Sequence, residues 1–386
     1  MNRPVVKCRS CGREFSASTP ITYCDNCGSP LSLVFDASGR DLTPKDMIAS
    51  GQRSMWRYGK LLYPETPGVS LGEGWTPLVR SHDYFQEQDF ELYFKLESLN
   101  PTFSFKDRGA AVVVSAAKLW GVERIADDSS GNAGAALAAY SAKAGLECSI
   151  YVPASASGEK IVQIRSYGAR LKGVQGPREN AKERVKRDTE GNDVYYGSHN
   201  LSPYFQAGMK TVAFELAEQF DWEVPDHVVV PVGGGALITG IYRGFQELAE
   251  LGWIERVPRL HPIQSRSCSP IVNALQDDRS VPDKVTPGPT VAEGIHIAIP
   301  ERSREILKAV RITSGTGVAV PESEIVEHHS KLSRKEGIFP EPTSAVSLAG
   351  VARLRDAGEI NRGERVVVPI TGSGLKDISV AKSHLQ

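Results

Sequence analysis

Four segments of this chain carry residue types that could do chemistry together. Lys106, within Asn100-Pro101-Thr102-Phe103-Ser104-Phe105-Lys106-Asp107-Arg108-Gly109, follows an apolar, aromatic-flanked run. A lysine so placed is easily desolvated, which favours its neutral, nucleophilic amine; a surface lysine opening a helix has the same local sequence. Three glycine-containing segments follow it in order: Ser130-Gly131-Asn132-Ala133-Gly134, Gly233-Gly234-Gly235-Ala236-Leu237, and Thr371-Gly372-Ser373-Gly374-Leu375-Lys376-Asp377.

The second of these lies between the apolar stretch from His227 to Val232 and the helix-like run from Leu237 to Tyr242, so it reads as a strand-to-helix turn. Successive backbone N–H groups in such a turn form a nest at a helix N-terminus, which favours a phosphate dianion. No Gly-Lys-Ser/Thr ends the run, so it is not a nucleoside-triphosphate loop, and it lacks the Gly-x-Gly-x-x-Gly spacing of a dinucleotide fingerprint. A degenerate nucleotide-binding turn stays open as an alternative. Ser129-Ser130-Gly131-Asn132 follows the short strand Arg124 to Ala126 and opens an Ala-rich helix from Ala133 to Ala144. That turn is an N-cap in any reading, and a helix start that can also receive an anion. Thr371 ends the last convincing strand, Arg365 to Ile370, and offers a hydroxyl there, with Ser373 as a neighbouring one; a structural turn is the alternative.

Taken together, in this order and at these separations, the four segments resemble the fold-type II pyridoxal 5′-phosphate (PLP) enzymes, and most of all the threonine synthase family. Such a site needs an amine for a Schiff base, a phosphate cradle, a group beside the pyridine nitrogen, and donors for the ring hydroxyl and substrate carboxylate. The resemblance implies that Lys106 is the Schiff-base amine and the base that moves protons, and that Gly233, Gly234, Gly235, Ala236 and Leu237 cradle the phosphate. It implies that Asn132 bonds the ring hydroxyl and that Ser129, Ser130 and Gly131 receive the substrate carboxylate. It sets Thr371 beside a neutral pyridine nitrogen, a weak electron sink that suits elimination and replacement rather than transamination. Leu71-Gly72-Glu73-Gly74-Trp75-Thr76-Pro77-Leu78 and Glu341-Pro342-Thr343-Ser344-Ala345 are further family-like segments. The implied reaction converts O-phosphohomoserine and water to threonine and phosphate.

Two C-x-x-C pairs, Cys8 with Cys11 and Cys24 with Cys27, each followed by a glycine suited to a tight turn, match a closed tetrahedral zinc site of structural type. Disulfides are the competing reading, less suited to a reducing compartment. A ribbon of this kind is also found on many threonine synthase-like chains. Cys148 and Cys268 sit in apolar surroundings and read as inert core residues.

The 386 residues carry a net charge of −1, which argues against a nucleic-acid footprint. No segment has the apolar length to span a bilayer, and Met1-Asn2-Arg3-Pro4 leads into cysteines rather than an apolar signal core, so a cytoplasmic protein with no membrane partner is expected. Alternation of strands (91–96, 148–152) with helices (106–120, 158–167) predicts an α/β fold with parallel-rich sheets covered by helices and the site at the strands' carboxyl ends. The expected organisation is a zinc ribbon over 1–36, a connector over 37–70, a large PLP-binding domain over 71–112 and 205–386, and a small inserted α/β domain over 113–204. The stretch from Val281 to Pro289 reads as a surface loop, and the resemblance implies a homo-oligomer, a dimer.

Three positions depart from the threonine synthase pattern. Ala133 stands where a threonine is usual, Phe205 where an arginine is usual, and Asp128 sets an acid beside a site that should welcome anions. Losing a bidentate phosphate partner and gaining a carboxylate both weaken a phosphorylated substrate. His199, Asn200 and Lys210 are the candidate replacement donors. A related PLP lyase or β-replacement enzyme acting on an unphosphorylated amino acid is therefore the alternative to a threonine synthase. A silent amino-acid sensor is a third, though it would have no need of the amine of Lys106.

Overall fold

The structure is a computed structural model that describes residues 4–35, 43–49, 51–86, 88–156 and 158–384. The expected boundary between ribbon and connector, at 36/37, lies outside the described residues. The chain divides into two compact units, one built from 1–75 and 100–211, the other from 76–99 and 212–386.

The first unit holds two sheets. A small antiparallel one has the order Glu14–Ser16, Val5–Cys8, Leu31–Val34. The other is parallel throughout, in the order Arg170–Val174, Glu147–Pro153, Arg124–Asp127, Tyr195–Tyr196. Helices Lys106–Leu119 and Asn132–Ala144 belong to the same unit. Both are rich in alanine and buried along most of their length, so small side chains let helix and sheet approach closely.

The second unit is one six-stranded sheet, ordered Val318–Val320, Arg259–Ser265, His227–Pro231, Arg365–Pro369, Glu91–Lys95, Leu78–Arg80. Every pairing is parallel except the last. Its central strands, His-Val-Val-Val-Pro and Arg-Val-Val-Val-Pro, are apolar along their length because both faces are covered. The core gathers Phe94, Val229, Ile263, Val346, Val368 and their neighbours. At one end of the sheet Lys95 is fully buried, its ammonium within 2.6 Å of Glu215, 2.7 Å of the Thr76 carbonyl and 2.9 Å of Gln219. All three of its protons therefore have acceptors, as a buried ammonium requires.

The α/β alternation and parallel sheets match the sequence expectation, with boundaries that move by a residue or so: the strand at 91 ends at Lys95 and the helix from Lys106 at Leu119. Residues 281–289 carry no regular structure and are mostly exposed. The region expected as a connector has buried residues among those described from 43 onward. It contains the 3-10 turn Met55–Leu61, whose Met55, Trp56, Arg57 and Tyr58 are buried.

Candidate active site

In the first unit Lys106 is the first residue of its helix, half-buried, with Nζ 4.6 Å from the ring centre of Phe105 and 5.6 Å from that of Phe205. The loop before it is pinned by Asp107, whose carboxylate accepts from the Thr102 backbone N–H at 2.6 Å and from the Thr102 hydroxyl. The helix Pro203–Gln219 lies on the Lys106 helix through two glycines. A Cβ on Gly208 would stand 2.1 Å from the Arg108 carbonyl oxygen, and one on Gly109 would stand 2.6 Å from the Phe205 ring. Arg108 donates to the Thr211 hydroxyl at 2.8 Å across the same contact.

The turn at 129–131 joins the strand Arg124–Asp127 to the helix beginning at Asn132. It is folded so tightly that a Cβ on Gly134 would lie 2.0 Å from the Ser129 carbonyl oxygen. The first N–H groups of that helix have no acceptor within it, so they face outward from the turn. The neighbouring parallel strand is Tyr195–Tyr196, which brings the residues after both strands side by side. Four buried groups meet there. His199 donates from Nδ1 to Asp127 at 2.9 Å, and the Tyr196 hydroxyl donates to Asp128 at 2.5 Å. Burial tends to raise the Asp127 carboxyl, but the charge and hydrogen bond of His199 hold it below the usual carboxylate range. Burial, with the Asp127 charge adjacent, raises that of Asp128.

Of the donors expected to meet a substrate phosphate, His199 therefore has Nδ1 on Asp127, and its Nε2 lies 2.9 Å from Asn200 Nδ2. Its ring sits edge-on to Phe205, 6.2 Å between centres. Lys210 is buried and its ammonium contacts the Leu61 carbonyl at 3.2 Å and the Phe35 ring at 4.5 Å. Five residues along a helix turn the chain about 140°, so Lys210 leaves from a different face of its helix than Phe205.

In the second unit the neighbouring parallel strands His227–Pro231 and Arg365–Pro369 lead into Gly233–Leu237 and Thr371, so both segments emerge from one edge of the sheet. Gly235 caps the helix Ala236–Glu250 at φ +91°, a backbone region that favours glycine. A Cβ there would meet Ile306 at 2.4 Å, and one on Gly233 would lie 2.9 Å from the Gly294 carbonyl oxygen. The turn is thus a cradle of bare backbone at the N-terminus of a long helix, the form a phosphate dianion fits. Glu305 braces it from the side, bonded to Arg243 of that helix at 2.5 Å and to buried Arg302 at 2.9 Å. Thr371, 1% exposed, donates to Glu341 at 2.7 Å.

Near the N-terminus the four cysteines are free thiols whose sulfurs all lie within 4.8 Å of one another. Cys8 to Cys27 is 3.5 Å and Cys11 to Cys24 is 3.6 Å. Gly12 and Gly28 have φ of +78° and +66°, the left-handed turns expected after each pair.

Several partners were not visible in the sequence reading: Asp127 and Tyr196 around His199 and Asp128, Glu305 behind the glycine turn, and Ser344 beside Thr371. Glu73 is another, a fully buried carboxylate that accepts from Trp56 Nε1 at 2.5 Å and the Tyr140 hydroxyl at 2.8 Å. The family-like segment around it gave the position without the role.

An amine on a helix start, a bare-backbone anion cradle and a buried hydroxyl at a parallel strand end are the parts a PLP enzyme requires. Residues 69–372 match the pyridoxal-phosphate dependent enzyme family, and the chain belongs to it. PLP is its cofactor. Among its relatives, a threonine synthase of Methanocaldococcus jannaschii is 37% identical over 380 residues, covering 97% of this chain and 93% of that protein. A threonine synthase of Methanosarcina acetivorans is 37% identical over 375 residues, covering 96% and 92%. Within the PLP enzymes the chain is a threonine synthase-like lyase. Solved structures show the same fold-type II architecture: maize serine racemase has a TM-score of 0.69 at 22% identity, covering 80% of this chain and 91% of that one. A fungal L-serine ammonia-lyase from Rhizomucor miehei has a TM-score of 0.70 at 20% identity, covering 80% and 97%. Among the described residues no helix is long and apolar enough to cross a membrane.

Proposed function

We propose that the protein converts O-phosphohomoserine and water to threonine and phosphate. The observation that carries this reading is a near full-length match to threonine synthases in a chain that retains Lys106 on the first turn of a helix. In this reading backbone N–H groups of Gly233 to Leu237 hold the cofactor phosphate, Asn132 meets its ring hydroxyl and Thr371 its ring nitrogen. When bound, PLP supplies the conjugated ring into which the electrons of the substrate Cα–H bond are drawn. Ser129, Ser130 and Gly131 hold the substrate carboxylate at a helix N-terminus. The Lys106 amine, released beside the substrate, takes the Cα proton and then serves the β and γ carbons, since one flexible base can reach all three. Phosphate leaves from Cγ and water adds at Cβ.

The same proposal includes a structural zinc on Cys8, Cys11, Cys24 and Cys27. A tetrahedral zinc with bonds of about 2.3 Å sets its sulfurs about 3.8 Å apart, close to the spacing of the thiols. Four reduced cysteines suit the cytoplasm, and the family resemblance suits a homodimer. We draw the small inserted α/β domain at 113–204 and the large PLP-binding domain at 71–112 with 205–386.

A second reading is favoured by one arrangement, Phe205 seated on Gly109 with His199 and Lys210 already engaged. It leaves the wall near Lys106 apolar, which suits an unphosphorylated amino acid and a related elimination or β-replacement. The experiment that separates the two readings presents purified holoenzyme with a panel of amino acids and scores phosphate, ammonia and 2-oxo acid. Phosphate with stoichiometric threonine from O-phosphohomoserine supports the first. Ammonia or a replacement product from a serine-like or cysteine-like substrate, with no phosphate released, supports the second.

A further inference from the structure

Arg178 is a cation with no carboxylate to hold. It is half-buried and opens the 12-residue helix Arg178–Thr189. Among the described residues its guanidinium forms no ion pair, and its hydrogen-bond contact runs from Nη2 to His199 Nε2 at 3.4 Å. The first residue of a helix lies at the positive end of its dipole, where an anion is favoured and an arginine is not. A residue type that its own element opposes is expected where the side chain serves a site.

The surroundings of Arg178 set it beside the turn at 129–131. His199 donates from Nδ1 to Asp127, two residues before Ser129, and the Phe205 ring is a neighbour of both His199 and the Lys106 amine. Asn200 Nδ2 lies 2.9 Å from the same His199 Nε2 that Arg178 approaches. Two donor side chains thus converge on one edge of the imidazole. An amide nitrogen carries two hydrogens and a guanidinium five, so both have donors to spare, and those of the arginine form a flat fork that matches two oxygens of a phosphate. Asp128 is the acid at hand, but its carboxyl takes the Tyr196 hydroxyl at 2.5 Å, and burial with the Asp127 charge works against its ionisation. Lys210 would have to leave the Leu61 carbonyl to meet an anion; Arg178 has no such bond to give up.

We propose that Arg178, with Asn200 beside it, is the specificity-determining group that takes the anion at the far end of the substrate, the phosphate of O-phosphohomoserine, whether or not Lys210 joins it. This rests on the threonine synthase reading given above. The arginine missing at 205 is supplied from a different helix, which leaves Phe205 free to pack on Gly109.

The test is calorimetric binding to the holoenzyme of two unreactive ligands: the phosphonate in which a methylene replaces the ester oxygen of O-phosphohomoserine, and norvaline, which has the same amino-acid end and no anion. The native protein should prefer the phosphonate. Arg178→Gln should weaken the phosphonate about tenfold to a hundredfold, leave norvaline and the PLP spectrum unchanged, and remove the preference; Arg178→Lys, which keeps the charge without the fork, should fall between. On the native protein an arginine-directed dicarbonyl should modify Arg178, and the phosphonate but not norvaline should protect it, a result that needs no variant to fold. A native preference for phosphonate that survives Arg178→Gln, with no protection of Arg178, overturns the role of Arg178 and leaves the substrate standing. Equal weakening of both ligands by Arg178→Gln also overturns it, since the arginine would then only steady Asp127 and Asp128. Native protein with no preference for the phosphonate overturns the proposed substrate, and the role of Arg178 with it.

Discussion

Phe205 lies flat against Gly109, one helical turn beyond Lys106, with a would-be Gly109 Cβ only 2.6 Å from three of its ring carbons. The absence of a side chain at 109 is what lets the ring occupy the space beside the lysine. The same ring is touched edge-on by His199, which is held by Asp127. A wall of the candidate site is thus set by a glycine, an aromatic ring and a buried histidine bonded to Asp127.

Gly109→Ala should therefore destabilise the protein by about 1–3 kcal/mol, the usual cost of overpacking a tight contact. Phe205→Ala should cost about 3–5 kcal/mol through the cavity it leaves. The double variant should be more stable than the sum of the two, because the added methyl fills part of the vacated space. Denaturant unfolding of the four proteins checks this. Strict additivity would mean that the two residues are not in contact.

Lys106→Ala should retain the fold, since half-exposed lysine at a helix start is not a packing residue, yet lose the visible absorbance of lysine-bound PLP and nearly all turnover. Borohydride reduction of the native protein should fix the cofactor on Lys106, located by peptide mass mapping. A label on any other lysine would overturn the site assignment.

A zinc held by the four proposed thiolates would act on stability rather than chemistry. Metal analysis of protein prepared without chelators should find about one equivalent per chain, because so small a sheet has little core of its own. Cys8→Ser or Cys24→Ser should lower the unfolding temperature of the N-terminal segment and leave the PLP spectrum intact. Protein that is fully stable and metal-free would remove the zinc.

Acid should unfold the second unit early. The Thr316 N–H donates to His261 Nδ1 at 3.0 Å, so His261 carries its hydrogen on Nε2, 3.0 Å from His227 Nδ1; His227 Nε2 in turn faces Glu364 at 2.9 Å. Burial, with the His227 and Arg259 charges nearby, lowers His261 to about 3. Burial also lowers His328, to about 4. A histidine that resists protonation when folded contributes no pH dependence above its unfolded value of about 6.5. Below that pH the unfolded chain binds a proton that the folded chain refuses, so each such group lowers stability by about 1.4 kcal/mol per pH unit until its folded value is reached. Glu364 adds to this lower down. Burial opposes its ionisation, but bonds from Asn361 and His227 hold it at about 2, so its contribution is present above its ordinary value and lost as pH falls towards 2. Urea midpoints should therefore fall between pH 6.5 and 4.5, and His261→Asn should flatten that slope by about one proton. A flat native profile over the same range would show that these histidines titrate normally in the fold.

The sheet architecture was legible because strands covered on both faces leave uninterrupted apolar runs, such as Val228–Val230 and Val366–Val368, each followed by a glycine turn. Partners remote in sequence were not. The Asp127–His199 pair spans 72 positions and depends on Tyr195–Tyr196, a strand of two residues that no periodicity reveals. Thr371 could be read as a hydroxyl at a strand end, but the direction of its proton depends on Glu341, 30 positions away. The glycines at 109 and 372 were visible as residues. Their reason, an aromatic ring in one case and a carboxylate in the other, needed the packing.

The substrate turns on where its phosphate finds a cation. If O-phosphohomoserine is used without the arginine that Phe205 replaces, Lys210 has to exchange the Leu61 carbonyl and the Phe35 ring for phosphate oxygens. A charge-assisted bond of that kind contributes roughly 1.5–3 kcal/mol. Lys210→Ala should then lower kcat/KM for O-phosphohomoserine about tenfold to a hundredfold, and change little for an unphosphorylated amino acid. Phe205→Arg should raise affinity for the phosphorylated substrate selectively, because a guanidinium binds phosphate bidentately where a ring cannot. Loss of stability in Lys210→Ala with kcat/KM unchanged would leave that lysine a structural role, holding the Met55–Leu61 turn through the Leu61 carbonyl. Combined with a gain of phosphate release only in Phe205→Arg, that result would identify Phe205 as the residue that turned this scaffold towards unphosphorylated amino acids.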